Sequence, residues 1–136
     1  MKLLMIYTDQ FAYQTKKRTL EIIEEHHEQK KYDDVIVGFI QVEKKDEKNL
    51  DKLVTKLIKN LKWAAKKNQT NRIIIHSFAH LSLSKAEPKI TKGLLNNAET
   101  RLHNAGYEVC QTPFGYFLDL DLKAPEKSLA RVFKEF

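Results

Sequence analysis

The chain has 136 residues, of which 42% are hydrophobic and 31% charged, with a net charge of +6 and a pI near 9.3. That length closes one core and leaves little for a second, so residues 1–136 read as a single domain, with charges too evenly spread for a disordered chain. A single cysteine excludes a disulfide framework and a thiolate zinc cluster, and no apolar stretch approaches the roughly 20 residues of a membrane span.

Lys2 to Thr8 is an apolar run closed by a polar pair, the pattern of a buried strand, and Phe11 to Thr19 reads as a second strand or hairpin arm. Glu21 to Lys31 is polar and predicts a short surface helix or a mobile connection. Its adjacent His26 and His27 would point about 100° apart on a helix, too far to share a metal. Asp34 to Val42 is too β-branched for a short helix and reads as a strand, followed by a charged loop at Lys44 to Lys48. Asn49 can cap the next helix, whose apolar positions from Leu50 to Ala65 recur at three- and four-residue steps. Its lysines at 52, 56, 59, 62, 66 and 67 occupy the other faces, as a solvated surface or as a nucleic-acid footprint.

Arg72 to His76 is another strand, running into Ser77-Phe78-Ala79-His80-Leu81-Ser82. Pro88 suits a helix first turn, the stripe Ile90, Leu94, Leu95, Ala98, Leu102 and Ala105 gives its buried face, and Gly106 ends it. Tyr107 to Gln111 is a strand in which Cys110 reads as a small core residue, and Thr112 to Gly115 is a turn. Tyr116 to Leu122 alternates with period two, leucines on one face and Asp119 and Asp121 on the other. Ser128 to Phe136 reads as a short final helix or a tail. Strands unseparated by helices lie at both ends, with two strand–helix–strand units between them. The fold class is therefore α/β with a mixed sheet and helices packed on it.

Phosphate-binding Gly-x-Gly runs, His-Glu-x-x-His and Gly-x-Ser-x-Gly are all missing, so the motifs support neither ATP-driven nor zinc-driven chemistry. Two segments sit just past strands, where ligands bind in open α/β sheets. In one, His80 carries the side chain best suited to proton transfer near neutral pH, although a strand-end histidine bonded to backbone fits equally. In the other, Pro113-Phe114-Gly115-Tyr116-Phe117 is a rigid aromatic turn able to present backbone groups and stack on a base, or simply to pack in the core. The basic surplus fits an acidic partner or a lysine-rich soluble surface.

Together these segments carry a resemblance. The start Lys-Leu-Leu-Met-Ile-Tyr-Thr-Asp, then Phe39 to Lys44, Phe78 to Ser82 and Pro113 to Tyr116 resemble, in order and spacing, the N-terminal editing domain of archaeal threonyl-tRNA synthetases. The resemblance implies a D-aminoacyl-tRNA deacylase-like fold and hydrolysis of serine mischarged on threonine tRNA. It implies a metal-free mechanism with no cofactor, assisted by the terminal ribose 2′-hydroxyl. Val42, Ala79, Pro113, Phe114, Gly115 and Tyr116 would bind the aminoacyl-adenosine end, with His80 and Phe117 in catalytic positions. The implied partners are the tRNA 3′ end and a threonyl-tRNA synthetase catalytic chain or domain, in a cytoplasmic homodimer that uses no membrane.

This chain departs from the family pattern at several positions. The family lysine after the aromatic pair is Leu118, and its functional glutamate falls on Arg131. The early His-Ser-Asp is Tyr7-Thr8-Asp9, and Ser77 replaces a proline. Leu118 cannot stabilise an oxyanion, so the domain binds without hydrolysing well, or the pocket takes a different substrate, or another lysine such as Lys123 or Lys127 reaches in. The alternative expectation is a catalytically degenerate tRNA- or synthetase-binding module.

Overall fold

A computed structural model describes residues 1–21, 23–24 and 27–136. Six strands and two helices follow in the order β1 (Lys2–Arg18), β2 (Gln29–Gln41), α1 (Leu50–Lys67), β3 (Arg72–Ser77), α2 (Pro88–Asn104), β4 (Glu108–Gln111), β5 (Tyr116–Lys123) and β6 (Arg131–Glu135). The sheet runs β4-β3-β2-β1-β5, with β6 also on β1. Strands β2, β3 and β4 are parallel, joined by right-sized helical crossovers, whereas β1 pairs antiparallel with β2, β5 and β6. The mixed sheet expected from the sequence is the one found.

The first two predicted strands are one. β1 pairs with β2 in an unbroken register from Lys2↔Gln41 to Gln14↔Gln29. What looked like a strand end is a reversal of the inside–outside alternation. Leu3, Met5 and Tyr7 face the helices, while Phe11 and Tyr13 join Val35, Val37, Phe39 and Ile74 on the other face. Asp34, opposite this point, sits in the left-handed region at φ 55°, a conformation that aspartate tolerates better than most residues. Tyr7 donates a hydrogen bond to its carboxylate at 2.6 Å. Beyond the reversal β1 also changes partner: Lys2 to Ile6 pair with β6, and Gln10 to Arg18 with β5.

Three further expectations are corrected. The C-terminal segment is neither helix nor tail but strand β6, because the first half of β1 offers a free ladder and Val132 and Phe136 pack against the helix-side core. The polar Glu21 to Lys31 segment is not a helix among its described residues, and its last three residues already belong to β2; His26 lies outside the described residues. Lys44–Lys48 is a 3-10 helix rather than a loop, and Asn49 caps α1 by position without a side-chain hydrogen bond.

The helices α1 and α2 cover one face of the sheet through Leu57, Leu61, Leu95 and Leu102, all fully buried. Their approach to β2 is close. A Cβ built on Gly38 would lie 2.9 Å from Leu61 Cδ2, so any larger residue would make that leucine shift. The opposite face is apolar as well, and β5 extends it with Leu118, Leu120 and Leu122 beside Thr15, Tyr13 and Phe11 of β1. No helix among the described residues is long and apolar enough to cross a membrane.

Candidate functional site

Because β2, β3 and β4 are parallel, the segments that leave their C-terminal ends meet at one end of the sheet. A cleft of about 450 Å³ opens there. Val42 reaches it from the end of β2, Ala79 and His80 from the segment after β3. Pro113, Phe114, Gly115, Tyr116, Phe117 and Leu118 reach it from the turn and strand after β4. The two segments singled out in the sequence, more than 30 residues apart, thus line the same cavity.

Backbone hydrogen bonds fix the walls. Phe78 N–H donates to Ile40 C=O at 2.9 Å, Ala86 N–H to Val42 C=O at 3.0 Å, and Thr112 N–H to Ile75 C=O at 3.0 Å. Gly115 adopts φ +83°, and a Cβ there would stand 2.9 Å from Ile23 Cγ1, so the bend requires glycine on both counts. Its carbonyl accepts from Thr19 N–H at 2.6 Å, and the Tyr116 hydroxyl donates to the Glu24 carbonyl. These contacts pull the Pro-Phe-Gly turn against the strand-β1 connection. Ala79 and His80 are exposed at the cleft, and Phe117 is 58% exposed at its rim.

Sequence reasoning missed His76. It lines the cleft from the end of β3, 6% exposed, with Nδ1 2.8 Å from Thr112 Oγ1. Rings stack edgewise from Phe39 through His76 and Phe78 to His80, at centroid distances of 5.2, 5.6 and 4.9 Å. The His76–Thr112 contact ties the His80 segment to the Pro-Phe-Gly turn at their roots. Burial, reinforced by the nearby His80, lowers the His76 pKa to about 4. The imidazole is therefore neutral in the folded state where an unfolded chain would protonate it, near 6.5. As pH falls from 6.5 towards 4 the unfolded state gains a proton that the native state refuses, and stability drops by roughly 3 kcal/mol. Urea titrations should show His76→Gln, which carries no such proton, losing less stability than the wild type across that window. A constant gap between the two would remove His76 as the cause.

The electrostatics of the cleft are one-sided. Among its described lining residues there is no aspartate or glutamate, and Lys85 supplies the lone ammonium. The lysines expected to reach the site do not line it. Lys127 lies 4.1 Å over the Tyr7 ring, and Lys123 ends β5 opposite Gln10. Arg131 stands on β6 opposite Ile6, paired with Glu126 and donating to the Ala124 carbonyl at 3.1 Å, outside the cleft lining. Leu118 lines the cavity while packing on the second apolar cluster. Cys110, expected in the core, is exposed, because β4 is the sheet edge and its outward face has no covering element. Among the described residues no three His, Cys, Asp or Glu side chains gather as a metal site.

A family model for the Archaea-specific editing domain of threonyl-tRNA synthetase matches residues 1–136. The chain belongs to that family. It is 35% identical over 135 residues to a threonine–tRNA ligase of Thermococcus kodakarensis, covering 97% of this chain and 22% of the relative. A threonine–tRNA ligase of Pyrococcus furiosus is 36% identical over 120 residues, 86% of this chain and 19% of that protein. One of Methanosphaera stadtmanae is 31% identical over 97% of the chain and 22% of its own length. The chain thus spans about a fifth of the curated relatives it matches. Among solved structures, the c-Myc DNA Unwinding Element Binding Protein superposes with a TM-score of 0.69 at 14% identity, covering 100% of this chain and 99% of that one. At that identity the likeness speaks for the fold, which is of the D-aminoacyl-tRNA deacylase-like class.

Proposed function

We propose that this editing domain hydrolyses the ester joining serine to the 3′-terminal ribose of threonine tRNA. The observation that carries the reading is the convergence of His80 and the Pro-Phe-Gly bend on one cleft with mostly apolar walls. Proofreading at a second site answers a physical need, since one methyl group discriminates serine from threonine by only about 1–3 kcal/mol at a synthetic site. The backbones at Val42 and Ala79 hold the aminoacyl ribose, Phe114 and Phe117 contact the sugar and adenine, and His80 positions the attacking water or the ribose. The reaction needs no metal; the 2′-hydroxyl of the terminal ribose assists the water. Lys85 favours a substrate that brings phosphate to the cleft.

Polyanion binding has a second support. The six lysines of α1 fall within a sector of about 140° opposite its buried stripe. The ion pairs of the described residues use other lysines, such as Lys2 with Glu135 and Lys16 with Asp119. A like-charged face of this kind costs helix stability unless an anion meets it.

A different reading, a binding module without hydrolysis, is favoured by Leu118, which puts an apolar side chain where the family carries an ammonium. One experiment separates them: incubation with Ser-, Thr- and D-aminoacyl-tRNA, with affinity measured across a salt series. Release of serine, retention of threonine and an affinity falling by roughly 0.7–0.9 log units per log salt for each phosphate met are the expected result. Tight, salt-dependent binding with all esters intact would establish the module, and salt-independent or absent binding would remove tRNA from both readings.

A further inference from the structure

The last side chain of β2, Gln41, is 3% exposed, and it is a polar residue at the end of an otherwise apolar run. Its amide is fully used by one loop. Nε2 donates to Ser82 C=O at 2.7 Å and to Ser84 C=O at 3.0 Å. Oε1 accepts from Leu81 N–H at 2.6 Å and Ser82 N–H at 2.7 Å. Two donors and two acceptor sites are all that a primary amide offers, so every one is committed to the turn directly after His80.

The same turn is fastened from a second side. Ser82 Oγ donates to Glu43 Oε2 at 2.8 Å and accepts Ser84 N–H at 3.1 Å, while Ser84 Oγ accepts Lys44 N–H at 3.0 Å. Backbone–backbone bonds hold this stretch at its ends, Phe78 to Ile40 and Ala86 to Val42. Between those ends, residues 79–85 form neither helix nor strand, and side chains do the anchoring. His80 is exposed and touches Phe78 edge-on, so its direction follows from where the turn holds its backbone.

We infer that Gln41 is the positioning residue of the cleft: its amide splints the turn 81–84 and thereby sets where His80 and the Ala79 backbone meet the substrate. The inference rests on the hydrolytic reading above for its rate consequences, but the splint itself is measurable without any substrate. A leucine of similar volume cannot make these bonds. Gln41→Glu keeps the shape and both acceptors but, when ionised, turns a negative charge on two carbonyl oxygens. The charged groups next to this turn are Glu43, bonded to Ser82, with the Met1 ammonium and Lys2 paired to it; when protonated, the introduced carboxyl donates one of the two lost bonds.

The test pairs amide hydrogen exchange with single-turnover deacylation of Ser-tRNA. In Gln41→Leu, exchange at Leu81 and Ser82 should quicken about tenfold or more, with kcat falling by a similar factor and KM moving far less. In Gln41→Glu, the rate relative to wild type at the same pH should climb as pH is lowered from about 8 to 5, a trend that general loosening of the fold would not produce. Should Gln41→Leu prove unfolded, this isosteric variant decides alone. Unchanged exchange at Leu81 and Ser82, a wild-type rate in Gln41→Leu, or a flat pH ratio would overturn the assignment. A wild-type protein that releases no amino acid would instead overturn the hydrolytic reading, leaving the exchange result to judge the splint.

Discussion

His80→Ala should lower hydrolysis of serine from Ser-tRNA by about 100-fold while the melting temperature stays within a degree or two of wild type. The magnitude is that of removing one group that positions or relays a proton in the transition state. The stability expectation follows from place: His80 is exposed, and its ring contact to Phe78 at 4.9 Å lies at the rim of the packed rings rather than inside them. The side chain that does hold the core together here is His76, which stays untouched in this variant. Measured turnover equal to wild type would strike His80 from the mechanism, and a collapse of the melting temperature would make it a structural residue.

Leu118→Lys should raise the deacylation rate about tenfold or more. Leu118 lines the cleft at the position to which the resemblance assigns a lysine, and the described lining otherwise holds only the Lys85 ammonium. An ammonium aimed at a developing oxyanion in a partly dry cleft can be worth several powers of ten in rate, so tenfold is a modest expectation. The substitution costs some stability, because Leu118 packs on the second apolar cluster opposite Thr15. That cost is moderated by the long aliphatic stem, which covers apolar surface while its head stays in the cleft. Single-turnover assays of the two proteins side by side give the answer. A gain from an inactive wild type would establish this chain as a binding module that lost one charge, whereas no gain in an active wild type means the 2′-hydroxyl and His80 already suffice.

Both variants depend on a cleft that the sequence partly foretold. His80 and the Pro-Phe-Gly turn were legible because each follows a strand, and parallel strands bring their following segments to one edge. Gln41 left a fainter trace, a lone amide at the end of Val-Ile-Val-Gly-Phe-Ile, the sort of buried polar residue that must have partners. His76 and Thr112 left none, because their contact spans 36 residues and exists only once β3 and β4 lie side by side. The lysine at the cleft is Lys85 and not Lys123 or Lys127, because Lys123 ends β5 opposite Gln10 and Lys127 lies over the Tyr7 ring.

The sequence by itself determined the two helices and the strand–helix–strand units they belong to, because periodicity is local and burial rewards it directly. It also carried the family, through short segments, several of which reach the cleft. Only the tertiary structure decided that β1 runs through its alternation reversal, that the C-terminal residues form β6, and that Arg131 and both candidate lysines stand outside the site. Strand pairing is the reason in each case. A strand's identity at an edge depends on which free ladder lies beside it, and that is a property of the assembled sheet rather than of the segment.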